Sequence, residues 1–172
     1  MKQWLVVGIA VVAAAAAGVF AGLYFTKGAD SQPVTAQPCG DRVFGHIRSL
    51  VRMGDRYDLR FDPAWFTTGA TANTAAAEDG AVAPGEPVPN DVYVIDESDR
   101  LLRFLVRPTA HVTVLVNEPT GILSTPITVS ELSEIVRTGK SSRRKLFESL
   151  ESGVWIRVRN DTVCALDQQY RP

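Results

Sequence analysis

The chain has 172 residues, with 18 basic against 19 acidic side chains and 45% hydrophobic residues. A length of this order suits one modest domain with a single core. The near-neutral balance excludes the strong basic field needed to hold nucleic acid or anionic lipid by charge alone.

Trp4 to Phe25 reads WLVVGIAVVAAAAAGVFAGLYF, 22 residues without a charge. As a helix it would run about 33 Å, close to the thickness of a bilayer's hydrocarbon core. Residues 1–27 are therefore read as a single-pass transmembrane signal-anchor that leaves the remainder extracytoplasmic. The alternative is secretion after cleavage, because Lys2, the apolar stretch to Val12 and the small residues Ala13 to Gly18 follow the order of a signal peptide. Val19 to Phe25 stays apolar past those alanines, so cutting there would leave a sticky stub, and the uncleaved anchor is preferred. Gly18 and Gly22 make a G-x-x-x-G, a pattern that allows close helix approach but is cheap in an alanine-rich span.

Residues 28–38, GADSQPVTAQP, are small, polar and proline-containing. They predict an extended linker that could hold the domain up to ~35 Å from the membrane. Residues 39–172 are the predicted extracytoplasmic domain. Without Lys2, Lys27 and Asp30, 16 basic and 18 acidic residues remain, a charge of −2. Cys39 opens the domain and Cys164 lies in its last predicted strand, a disulfide candidate in an oxidising compartment. The alternative is two unpaired thiols.

Val43, Ile47, Val51 and Met53 share one parity against His46, Arg48 and Arg52, while Tyr57, Leu59 and Phe61 alternate with Arg56, Asp58 and Arg60. This pattern predicts two half-buried strands joined by a turn at Gly54-Asp55. Asp62-Pro63 ends the second, and the alanine-rich stretch from Ala70 to Asp79 predicts a short helix that stops before Gly80. Residues 81–90, with three prolines and Gly85, form a surface loop.

Val92 to Asp96, Leu101 to Val106 and His111 to Val116 are predicted as a three-stranded antiparallel meander, broken at Ser98-Asp99 and at Pro108. Thr128 and Glu131 have the spacing of a capping box, with Ile127 and Leu132 as its hydrophobic staple. Val129, Leu132, Ile135 and Val136 then share a face, and Gly139 ends this second helix. Lys140 to Lys145 is a basic loop. Val154 to Arg159 and Thr162 to Leu166 form a closing hairpin around Asn160-Asp161. The fold class is mainly β (α+β): a small curved antiparallel sheet of about seven strands, or a partly closed barrel in the manner of an OB-fold, with two short helices.

Several segments carry a resemblance. Gly45-His46-Ile47-Arg48-Ser49-Leu50, Phe61-Asp62-Pro63-Ala64-Trp65-Phe66, Ala75-Ala76-Ala77-Glu78-Asp79-Gly80, Pro89-Asn90-Asp91-Val92-Tyr93 and Gln169-Tyr170-Arg171-Pro172 stand in order along the exported part. In them, with Gly69, Ala72 and Trp155-Ile156, the chain resembles a family of bacterial secreted, lipoprotein or membrane-tethered proteins of unknown function, except that Val92 stands where that family would carry an aromatic residue. The resemblance implies a location and no activity.

The residues with chemical potential mostly have bland readings. His46 and His111 lie in predicted strands without the spacing of a metal motif. Ser142 and Lys145 have S-x-x-K spacing inside a charged loop. Asp96, Glu97 and Asp99 cluster at a turn without the calcium-loop pattern. Lys140, Arg143, Arg144 and Lys145 could face lipid headgroups, but Glu148 and Glu151 dilute that field.

Asp62, Asn90 and Asp91 sit at predicted strand ends beside Trp65 and Tyr93, and polar groups next to aromatic faces are what a small-ligand or peptide site needs. These five residues are the candidate binding set. The function expected is a non-catalytic binding module of the cell envelope, partnered by the membrane and an envelope protein, with no nucleic acid, metal or cofactor. The alternatives are a carboxylate-based hydrolase using Asp62 or Asp91, and an accessory subunit assembling through the transmembrane helix.

Overall fold

The computed structural model describes residues 39–96 and 100–171. The apolar segment at 4–25, the linker at 28–38, and Glu97 and Asp99 lie outside the described residues. Among the described residues no helix is long and apolar enough to cross a membrane.

In chain order the strands are β1 (Asp41–Met53), β2 (Arg56–Pro63), β3 (Trp65–Thr68), β4 (Val92–Ile95), β5 (Leu102–Glu118), β6 (Gly121–Ile127), β7 (Val154–Arg159) and β8 (Thr162–Gln168). Helix α1 (Gly69–Glu78) follows β3, and α2 (Val129–Thr138) follows β6. The large sheet runs β2-β1-β7-β8-β5-β6, and a further pairing of β2 with β5 closes five of its strands into a barrel. β6 hangs on β5 outside the ring, and β3 with β4 makes a separate two-stranded sheet. The barrel is closed rather than partly open, and not wholly antiparallel, since β5 and β8 run parallel. Antiparallel hairpins alone cannot bring the last strand beside β5; the chain crosses over through α2 first.

Tyr57, Leu59 and Phe61 from β2, Val106 and Val112 from β5, Val154 and Ile156 from β7 and Val163 and Leu166 from β8 fill the barrel, joined by Val129 and Leu132 of α2. Each such side chain contributes about 1.5–3 kcal/mol by leaving water. Helix α2 forms as its sequence dictates: Thr128 Oγ1 accepts the Glu131 N–H at 3.1 Å, and Gly139 ends the helix at φ 72°. The Glu131 carboxylate does not turn back to complete the box. It is buried, and accepts hydrogen bonds from Arg144 Nε and Ser141 Oγ, both at 3.0 Å. Arg144 is thus folded onto α2 and withdrawn from any lipid-facing role for its loop.

β1 departs from simple alternation. Its pairing with β2 jumps from Ile47↔Phe61 to Ser49↔Arg60, leaving Arg48 as the extra residue of a β-bulge. A one-residue slip reverses the faces, so Leu50 turns inward while Val51 and Met53, expected to be buried, are exposed. Gly45 marks the close crossing of β1 over β2: a β-carbon there would lie 2.1 Å from the Asp62 carbonyl oxygen.

The predicted meander does not form. β4 pairs with β3, not with β5, and 102–118 is one strand that runs through Pro108. Proline is tolerated because β5 leaves β2 after Val106 and meets β6 only from Val112, while its register with β8 is broken between Val106 and His111. β3 and β6 carry no strand signal in the sequence; β6 is a mostly exposed outer strand with Pro126 and little apolar patterning. Asn160 and Asp161 both take positive φ, as a tight two-residue turn requires.

Cys39 and Cys164 form a disulfide, their Cα atoms 6.2 Å apart. The β7–β8 register passes from Val158↔Val163 to Arg157↔Ala165, so Cys164 is itself a bulged residue, freed from the ladder to meet Cys39. The bridge ties the start of β1 to the last strand.

Candidate functional site

The outer face of the barrel at β1 and β7 carries aromatic residues on the parity opposite the core. Phe44 alternates with the inward Val43, and Trp155 with the inward Ile156; the two are paired in register across the strands. Their ring centroids are 5.1 Å apart, and Phe66 of β3 completes the group at 5.0 Å from Phe44 and 5.8 Å from Trp155. Tilted and edge contacts of this kind suit the ring quadrupoles. The indole of Trp155 is fixed from both sides: its Nε1 donates to Gln169 Oε1 at 2.6 Å, and the Arg42 guanidinium lies 3.9 Å from the ring centroid.

Beside this cluster is a cleft of about 450 Å³ lined by Arg42, Phe44, Pro63, Trp65, Phe66 and Trp155. Trp65 stands at it with 62% of its surface exposed. Gly153 shapes the floor under Phe44, because a β-carbon there would lie 2.3 Å from that ring at a φ of 98°.

The candidate binding residues separate into different surroundings. Trp65 lines the cleft. Tyr93 belongs to a second small core, packing against Ala72, Ala76 and Val88, with its hydroxyl donating to Asp79 at 3.0 Å. Asn90 and Asp91 form a turn with φ of 57° and 59°, where Asp91 N–H donates to the Val88 carbonyl. The Asp91 carboxylate lies beside Gly69. Asp62 is buried, faces His46 across the β1–β2 ladder, and accepts Arg48 Nε at 2.9 Å. The bulge at Arg48 is what aims that guanidinium at Asp62.

Burial, then the nearby Arg171 and Arg48 charges, hold the His46 pKa below the usual imidazole value against the opposing pull of Asp96 and Asp62. Among the described residues, the donors that could hold a metal ion are His46, Asp62 and Asp96, one ligating atom from each lying within 4.8 Å of the others.

None of Arg42, Phe44, Phe66, Trp155 and Gln169 belongs to the binding set drawn from the sequence. The available signal was an aromatic residue on the outward parity of each of two core strands, Phe44 and Trp155, where a lone strand would show polar side chains. No family model matches the chain, and no curated protein or solved structure matches it.

Proposed function

We propose that the protein is a single-pass, membrane-anchored envelope protein whose folded domain is a non-catalytic binding module. Its contact site in this reading is the aromatic cleft of Arg42, Phe44, Trp65, Phe66 and Trp155. The observation that carries the proposal is the exposed Trp65 beside an apolar cleft of about 450 Å³ whose walls are already packed. Preformed apolar concavities with one charged rim group suit an apolar or aromatic group of a partner, and Trp and Arg dominate binding energy at interfaces. The strand order β1-β2-β5-β8-β7 with one parallel pair is that of an OB-type barrel, a scaffold whose use depends on the site grafted onto it. The domain charge of −2 argues against nucleic acid as the partner. Residues 4–25 supply the anchor and 28–38 the tether in this proposal.

The test is a crosslinking pull-down of the full-length protein from intact cells, with Trp65→Ala and Arg42→Ala compared to the wild type. Loss of specific adducts in both variants, with the protein in the membrane fraction, is the expected result. Unchanged adducts, or intact protein bearing its first methionine in the aqueous fraction, would overturn the proposal.

A further inference from the structure

We propose that His46, Asp62 and Asp96 form a binding site for a divalent transition-metal ion of the zinc class. The site lies where β1, β2 and the end of β4 meet, and it goes beyond the cleft. His46 and Asp62 are direct cross-strand partners, so their side chains leave the same face of the β1–β2 ladder. Asp96 arrives from the residue after β4.

One buried atom on each of Asp62 and His46 lacks a partner among the described residues. The Asp62 side chain is only 5% exposed, and while Oδ2 takes both contacts from Arg48, Oδ1 is buried with no hydrogen-bond partner among the described residues. His46 Nδ1 is likewise buried and without a partner. Buried polar atoms left unpaired are costly, and a cation held between these side chains would supply the missing partner.

The donor chemistry selects the ion. An imidazole nitrogen with two carboxylate oxygens is a zinc-type set, whereas calcium and magnesium call for oxygen ligands throughout. Three protein ligands leave a fourth tetrahedral position for water or a partner's donor. Bonds of ~2.0–2.1 Å put tetrahedral ligand atoms about 3.4 Å apart, so the present limit of 4.8 Å closes with small side-chain adjustments. Arg48 on Oδ2 then plays the outer partner that orients a ligating carboxylate. Arg48 and Arg171 oppose the cation electrostatically and moderate its affinity. Bound metal would pin the end of β4, and through β4 the β3 strand that carries Trp65 and Phe66, against the barrel wall.

Full-length protein stripped with chelator is titrated with Co²⁺ followed by visible d–d absorption, then challenged with Zn²⁺. One equivalent of Co²⁺ should bind and be displaced by Zn²⁺, with a melting temperature that rises with Zn²⁺ concentration. His46→Gln and Asp96→Asn should each weaken binding at least about tenfold, while the exposed Asp55→Asn leaves it unchanged. Asp96 is exposed, so its variant should keep the wild-type circular dichroism and report on binding alone. Absence of saturable binding up to ~1 mM metal, or binding that both variants leave intact, would overturn the proposal.

Discussion

Removing the Cys39–Cys164 bridge should cost a large share of the domain's stability. The cysteines are 125 residues apart in sequence, so the bond restricts nearly the whole unfolded domain. In the chain-entropy model a loop of that length gives about 16 cal/mol/K, or about 5 kcal/mol at 25 °C. Typical domains are stable by only ~5–15 kcal/mol. The matching experiment is urea unfolding of the full chain as wild type and as the Cys39→Ser, Cys164→Ser double variant. With a urea slope of ~2 kcal/mol/M, the midpoint should fall by about 2.5 M. Wild type unfolded in excess reductant should track the double variant. A midpoint within ~0.5 M of wild type, equivalent to about 1 kcal/mol, would refute the reasoning and mean that the bridge does not constrain the unfolded chain.

Thr128→Ala removes the hydroxyl that accepts the Glu131 N–H and should cost about 1 kcal/mol in urea unfolding; Thr128→Asp should restore most of it. Gly153→Ala would drive a β-carbon into the Phe44 ring in left-handed backbone, so a loss above about 2 kcal/mol is expected. Phe44→Leu in the same chain should recover part of that loss, and no recovery would mean that the ring is not the obstacle. In chelator-treated protein, the lowered His46 pKa means the unfolded state takes up its proton first as pH falls. Stability should therefore be full above the unfolded histidine pKa, near 6.5, and decline as pH drops through it toward the folded value. His46→Gln should flatten that decline in a pH series of urea midpoints, and an unaltered slope would contradict the assignment.

Local features of the sequence were legible where their determinants are local. Thr128 and Gly139 bracket α2, Gly54-Asp55 turns the first hairpin and Asn160-Asp161 the last, and each signal spans a few residues. The bulges at Arg48 and Cys164 carry no such mark, because a bulge is decided by which strand lies opposite. The same is true of β5, whose passage through Pro108 depends on the change of neighbour from β2 to β6. Trp65 was visible as an aromatic residue of interest, but its companions Arg42, Phe44 and Trp155 come from strands distant in sequence. Its strand-end position in the sequence groups Asp62 with Asn90 and Asp91, whereas the fold sets it beside His46 and Arg48. The sequence places Tyr93 in the same binding set, yet the alanines of α1 draw it into their own small core.

The most direct test of the cleft as the contact surface is site-specific photocrosslinking of the full-length protein in intact cells. A photoreactive residue is placed at Trp65, at the rim position Arg42, or at Leu123 on β6, an equally apolar exposed position outside the barrel ring. Adducts of one size from positions 65 and 42, with none from 123, are expected. Adducts from 123 alone, or from all three alike, would contradict the assignment of binding to the aromatic cleft.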